Sequence, residues 1–115
     1  MSADHLLAVF SSPAPGREDE YNAWYSGPHL AEVLDLDGYA AATRFRLAGT
    51  QLDGFPTCPN GYLSLYEIVG DPQSALERLT NELASGRMVL PDCVDRAGIV
   101  AWLFTPITGR VAGPA

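Results

Sequence analysis

Apolar side chains on both sides of its strand-like segments are the feature that most constrains this chain. In residues 98–105 the two sides of the segment read Ile99, Ala101, Leu103 and Val100, Trp102, Phe104. Residues 5–11 are apolar on both sides in the same way. A strand whose sheet has one face in water normally alternates between apolar and polar residues. The pattern therefore predicts a sheet that is covered on both faces.

The predicted elements follow the order β-α-β-β-α-β. Strands are predicted at residues 5–11, 39–47, 62–69 and 98–105, and helices at residues 17–26 and 71–86. Gly27-Pro28 should interrupt the first helix, and Pro28 should then open a short helix that runs to about Leu34. This order predicts an α+β, ferredoxin-like fold with a four-stranded antiparallel sheet. We expect one domain over residues 1–115, with an irregular tail at about 106–115.

Two helices cover only one face of such a sheet. The other face would expose on the order of several hundred Å² of apolar surface, which is typical of an interaction site. Two copies of the chain that pack sheet against sheet would bury this surface with closed two-fold symmetry. The sequence therefore predicts a homodimer.

Charge and composition exclude several functional classes. All seven cations are arginines, and fourteen acidic residues give a net charge of −7. Without lysine there is no Schiff-base or Walker A chemistry, and the acidic balance argues against nucleic-acid and membrane partners. Cys58 and Cys93 are expected to be reduced, since no secretory signal pattern is recognised, and we expect a cytoplasmic protein. No pair of residues has metal-ligand spacing.

His29 is the leading candidate for chemistry. It is expected near the N-terminus of the helix that Pro28 opens, where the helix dipole lowers the pKa of an imidazole. A neutral imidazole can act as a general base or polarise a carbonyl group. If the helix continues, Tyr25 and Tyr21 lie on the same helix face as His29, one and two turns earlier. The competing interpretation is a histidine that bonds the helix-end backbone or packs against Trp24.

Arg44 and Arg46 share one side of the second strand with Ala40 and Ala42. An arginine beside small residues has room to bind a substrate carboxylate or an enolate. The alternative is a cross-strand ion pair with an acid such as Glu67.

The remaining candidates are less specific. A strand-end histidine such as His5 is more often solvated, and Glu32 is an acid near His29 whose usual role would be surface solvation. Tyr66 either presents its hydroxyl to a pocket or packs in the sheet. A substrate pocket is expected with apolar walls formed by Trp24, Phe45 and Leu65, and with Tyr21, His5 and Glu32 also lining it.

A longer pattern runs from the first helix into the second strand. It reads Tyr21-x-x-Trp24-Tyr25-x-x-x-His29-Leu30-x-Glu32-Val33-Leu34, then Asp37-Gly38-Tyr39 and Ala42-x-Arg44-Phe45. This pattern resembles the dimeric α+β-barrel superfamily, nearest its EthD-like branch. The resemblance implies two sheets that form a barrel in a dimer, and a pocket between sheet and helices that is roofed by the first helix. Some cyclases of this superfamily carry a histidine at the position of His5.

The superfamily includes polyketide cyclases, muconolactone isomerases, cofactor-independent quinol monooxygenases and haem-degrading enzymes, so fold alone does not select a reaction. We expect a cofactor-free enzyme of the isomerase, cyclase or lyase type that acts on a carbonyl-bearing aromatic, polyketide or terpenoid-like molecule. His29 would be the base, and Arg44, Tyr25 or Tyr66 would stabilise the enolate oxygen. The alternatives are a quinol monooxygenase and an EthD-like accessory or metabolite-binding protein without turnover. The resemblance also leaves open a haem-binding role for His29.

Overall fold

The order of strands and helices is the one predicted from the sequence. The computed structural model describes residues 3–115. The strands are β1 (His5–Ser11), β2 (Tyr39–Arg46), β3 (Tyr62–Ile68) and β4 (Val100–Phe104), and the α-helices are α1 (Glu18–Trp24), α2 (Leu30–Leu34) and α3 (Pro72–Ala84). A π-helical turn, Tyr25–His29, joins α1 to α2, and a 3₁₀ turn, Arg96–Gly98, precedes β4. None of the helices in the described residues is long and apolar enough to cross a lipid bilayer.

The four strands form one antiparallel sheet in the order β2-β3-β1-β4. This arrangement confirms the predicted α+β, ferredoxin-like fold. In the sheet register Leu7 lies opposite Tyr66 and Leu103, whereas Ala8 lies opposite Leu65 and Trp102. Because successive side chains of a strand point to opposite faces, these two rows belong to different faces of the sheet.

The helices pack on the face that carries Leu7 and Tyr66. The main core cluster on this face consists of Leu7, Val33, Tyr39, Tyr66, Ile68, Ala75 and Met88. Asp71 caps α3 as expected, because its carboxylate accepts a hydrogen bond from the Ser74 backbone N–H at 3.1 Å. The Tyr39 hydroxyl donates to the Ala75 carbonyl at 2.8 Å and so ties β2 to α3.

Gly27-Pro28 interrupts the regular α-helix as predicted, but Pro28 does not open the second helix, which begins at Leu30 and ends at Leu34. Proline has no N–H with which to bond the Trp24 carbonyl four residues earlier. The chain accommodates the missing hydrogen bond in the π-helical turn, where the Leu30 N–H donates to the Tyr25 carbonyl five residues earlier. α2 therefore begins at Leu30, and His29 lies within one continuous helical segment rather than at a helix N-terminus.

The opposite face of the sheet carries no helix, and we call it the open face. It consists of Leu6, Ala8, Phe10, Thr43, Phe45, Leu63, Leu65, Glu67, Val100, Trp102 and Phe104. Several of its large side chains are strongly exposed in the single chain: Trp102 at 56%, Phe104 at 54% and Phe45 at 45%. The apolar character predicted for this face is therefore present in the structure.

Candidate functional site

A cavity of about 130 Å³ lies between the helix-covered face of the sheet and the helices. Most of its wall is apolar and is formed by Leu7, Val9, Val33, Leu79, Leu83, Leu90, Val94, Ile99 and Ala101. The groups on its wall that can form hydrogen bonds belong to Ser11, Trp24, Tyr25, His29 and Tyr66. The cavity thus brings together three of the residues that were predicted to be catalytic: His29, Tyr25 and Tyr66.

The imidazole of His29 is buried, with 6% of the residue exposed, and is held by a carboxylate. Its Nδ1 atom lies 3.0 Å from Oε1 of Glu32. The two residues are three positions apart on a helix, so their side chains share one face. With its proton on Nδ1 and donated to Glu32, a neutral imidazole keeps the lone pair on Nε2. No hydrogen bond within residues 3–115 engages that Nε2 atom.

Two aromatic rings fix the orientation of the imidazole. Trp24 stacks on His29 with ring centroids 4.4 Å apart and an interplanar angle of 19°. Tyr25 contacts the same ring edge-on, at 4.9 Å and 90°. Trp24 lies five residues before His29, which is the hydrogen-bond spacing of a π-helical turn. The helix irregularity at Pro28 therefore aligns the tryptophan with the histidine.

The pKa of His29 is lowered from its ordinary value. Burial is the main cause, because it disfavours the charged imidazolium, and the positive charge of Arg44 acts in the same direction. The Glu32 carboxylate opposes both effects. The predicted cause, a helix dipole at an N-terminus, does not apply, since His29 lies inside the helical segment. A neutral imidazole near pH 7 is available to accept a proton.

The Tyr66 hydroxyl is the second group of the site. The residue is 1% exposed, and its oxygen is buried without a hydrogen-bond partner within the described residues. Burial raises the pKa of this phenol, so it stays protonated. An unpaired buried hydroxyl is costly in a folded protein. Tyr66 also lines the cavity, so its hydroxyl is a candidate donor to a ligand oxygen.

Arg44 lies behind the cavity rather than on its wall. The carbon of its guanidinium is 4.4 Å from the ring centroid of Tyr25 and 5.3 and 5.4 Å from those of Tyr62 and Tyr21. We call these three residues the tyrosine cage. Nη1 donates to the Ser26 hydroxyl at 2.7 Å, whereas Nε and Nη2 are buried among the described residues without a conventional acceptor. The π faces of the cage stabilise this cation.

Five residues expected in the pocket lie outside its wall, and one of them, Glu32, contacts His29 without lining the cavity itself. Phe45 and Leu65 point to the open face, because Arg44 and Tyr66, their neighbours in sequence, point to the helices. The prediction that they line a pocket with Trp24 is therefore wrong. His5 lies at the end of β1 with Nδ1 3.0 Å from the Thr105 hydroxyl, outside the cavity wall. Tyr21 is buried behind the wall, where its hydroxyl bonds Ser11.

One wall of the cavity was not predicted from the sequence. α3 contributes Leu79 and Leu83, and the segment before β4 contributes Leu90, Val94 and Ile99. No residue of the segment 87–97 was among the predicted site residues. The available signal was the apolar content of Met88-Val89-Leu90 and Cys93-Val94, of which Met88, Cys93 and Val94 are buried.

Within residues 3–115, no three side chains of His, Cys, Asp or Glu come together as a metal site would require. Cys58 and Cys93 are both free thiols.

Comparison with known proteins supports the fold alone. No protein-family model matches the chain, and no curated protein matches it. Among solved structures, the chain is similar to HapK from Hahella chejuensis, with a TM-score of 0.50 and 16% sequence identity. The match covers 95% of this chain and 99% of the HapK chain. At this identity the likeness establishes a shared ferredoxin-like α+β fold and carries no statement about activity.

Proposed function

We propose that this chain is a small enzyme that removes a proton next to a carbonyl group, with His29 as the base and no cofactor. One observation carries the proposal. A buried imidazole, fixed at Nδ1 by Glu32 and free at Nε2, shares a largely apolar cavity with the unpaired hydroxyl of Tyr66. The first group is an acceptor for a proton, and the second is a donor to a carbonyl oxygen.

In the proposed reaction the substrate carbonyl accepts a hydrogen bond from Tyr66. Nε2 of His29 then takes the proton from the adjacent carbon, and negative charge develops on the carbonyl oxygen. Because burial raises its pKa, Tyr66 keeps its proton and stabilises this enolate as a hydrogen-bond donor. Glu32 stabilises the imidazolium that forms. Return of the proton to another atom gives isomerisation. Attack of the enolate carbon on a second carbonyl of the same molecule gives cyclisation, and expulsion of a leaving group from the carbon next to the enolate gives lyase chemistry.

The test is proton exchange on a model ketone. We expect the protein to catalyse replacement of the methyl protons of acetophenone by deuterium in D₂O, followed by NMR. His29→Gln should lower the exchange rate by about 10²–10⁴-fold if the imidazole is the base. Glu32→Gln should lower it by roughly tenfold, since the orienting charge is lost.

Asp35→Asn is the matched control, because Asp35 is a nearby exposed acid that does not contact His29. Its exchange rate should equal that of the unmodified chain. Exchange at an undiminished rate in His29→Gln would remove the proposed mechanism.

The same cavity supports a second candidate, a cofactor-independent quinol monooxygenase. Its apolar wall and single proton acceptor suit a phenol that is deprotonated before it reacts with oxygen. Oxygen consumption with monocyclic quinols, lost in His29→Gln, distinguishes this reaction from anaerobic isomerisation. A binding protein without turnover would instead retain ligand binding in His29→Gln and show neither activity.

We also propose that a second copy of the chain covers the open face, as in a dimeric α+β barrel of the EthD-like type. The support is the exposure of Trp102, Phe104 and Phe45 on a face that carries no helix. Because the cavity lies on the opposite face, each copy of the dimer would keep its own site.

A further inference from the structure

The charge distribution around the cavity bears on the kind of molecule it accepts. None of the residues that line it, all within the described part of the chain, is an arginine, lysine, aspartate or glutamate. Its one titratable base, His29, has a lowered pKa and is uncharged near pH 7. A carboxylate placed there would lose its hydration without meeting a compensating charge, which is strongly unfavourable.

The nearest cation is already engaged elsewhere. The guanidinium of Arg44 is surrounded by the tyrosine cage, and one of its nitrogens is bonded to Ser26. Arg44 is not among the residues that line the cavity, so its other two side-chain nitrogens do not face a ligand placed there. The sequence-based expectation that Arg44 binds a substrate carboxylate therefore lacks geometric support, because a ligand would have to open the cage first.

Volume sets a second limit. The cavity measures about 130 Å³. An engineered apolar cavity of roughly 150 Å³ accommodates one benzene molecule. The space is thus about that of one six-membered ring, so a small substituent would reach towards the open side of the cavity, and a second fused ring would not fit inside it.

The polar groups set the third limit. Tyr66, Tyr25 and Trp24 offer donors and Nε2 of His29 offers an acceptor, none of them charged, while the Ser11 hydroxyl is occupied by Tyr21. From these three limits we infer that the cavity selects an uncharged, single-ring carbonyl compound and rejects the carboxylate of the same shape. The inference names the substrate class of the site and rests on the proposed function.

A matched pair of probes tests this selection. Acetophenone and benzoate have the same ring and nearly the same size, and they differ in that benzoate carries a negative charge. Binding can be followed through Trp24, which stacks on His29 and becomes the single tryptophan of the chain in Trp102→Phe. At pH 7.5 we expect acetophenone to bind at least about tenfold more tightly than benzoate, because the buried charge has no partner.

Two further probes locate the contacts. Tyr66→Phe should weaken the binding of acetophenone by about fivefold, since one hydrogen bond is lost, and should not weaken that of ethylbenzene, which has no acceptor. 2-Acetonaphthone, with its second ring, should bind more weakly than acetophenone. Benzoate or 2-acetonaphthone binding as tightly as acetophenone would overturn the inference. So would the absence of saturable acetophenone binding, or unchanged acetophenone affinity in Tyr66→Phe.

These are binding measurements and are independent of turnover. A chain that prefers acetophenone but catalyses no His29-dependent exchange would retain the inferred selection and lose the proposed catalysis. A chain that catalyses exchange but binds benzoate equally well would retain the catalysis and lose the selection.

Discussion

Both faces of the sheet are apolar, but helices cover one face and leave the other exposed in the single chain. On the helix-covered face, α1, α2, α3 and the segment before β4 form a cavity whose wall carries the His29 imidazole and the unpaired hydroxyl of Tyr66. On the open face, Trp102 and Phe104 remain more than half exposed in the single chain. The first face thus leaves a space of about 130 Å³, and the second presents the exposed apolar surface that we propose a second copy of the chain covers. Apolar strands alone do not distinguish these two cases.

The largest effect is expected from a charge on the open face. Trp102→Glu would place a carboxylate in the proposed sheet-to-sheet interface, twice in a symmetric dimer. We expect the dissociation constant of the dimer to rise by at least about a thousandfold, because burial of an unpaired charge costs several kcal/mol. Sedimentation equilibrium at micromolar concentration measures this change.

Leu34→Glu is the control for that variant. Leu34 is also an exposed apolar residue, but it lies at the end of α2, away from the open face. Its substitution should leave the dimer intact. A monomeric parent chain, or a Trp102→Glu variant that dimerises normally, would contradict the proposed difference between the faces.

An intermediate effect is expected from the unpaired donor on the helix-covered face. Tyr66→Phe removes a buried hydroxyl that no described residue bonds, so it should raise the free energy of unfolding by about 1 kcal/mol. Tyr39→Phe is the matched control, because the Tyr39 hydroxyl does bond the Ala75 carbonyl. That variant should lose about 1 kcal/mol. Urea denaturation measures both, and a destabilised Tyr66→Phe would mean that its hydroxyl is satisfied in the folded chain.

Much of the fold could be predicted from the sequence, because the strands and helices are marked by local sequence signals. The strand positions follow from short apolar runs, and Asp71-Pro72 marks the start of α3 through its capping chemistry. The interruption at Gly27-Pro28 was predicted, but the π-helical turn that contains Pro28 was not, since local rules describe only the missing N–H. That turn places Trp24 against His29 at a spacing of five residues, rather than the three or four residues by which an α-helix is recognised in a sequence.

The site was accessible only in part. His29, Tyr25 and Tyr66 could be named from residue type and spacing, and the structure brings them to one cavity. The assignment of Phe45 and Leu65 to the same pocket failed, because the sequence alone does not state which side of each strand faces the helices. The position of Arg44 inside the tyrosine cage could not be predicted either, because the three tyrosines come from α1, the π-helical turn and β3.

The smallest effect is expected from the tyrosine cage. Arg44 contributes least among the causes that act on the pKa of His29, and its positive charge lowers that pKa. Arg44→Gln should therefore raise the pKa of His29. Because the base must be neutral, the exchange rate falls as the pH drops through this pKa, and in the variant the fall should occur at a higher pH. A fall at an unchanged or lower pH would contradict the role assigned to the caged charge.

The state of the His29 imidazole is the central claim, and ¹⁵N NMR of the ring nitrogens measures it directly. We expect a neutral ring at pH 7 with the proton on Nδ1, a pKa below the usual value for histidine, and a change at Nε2 when acetophenone is added. A ring that is protonated on both nitrogens at pH 7, or that carries its single proton on Nε2, would contradict the account.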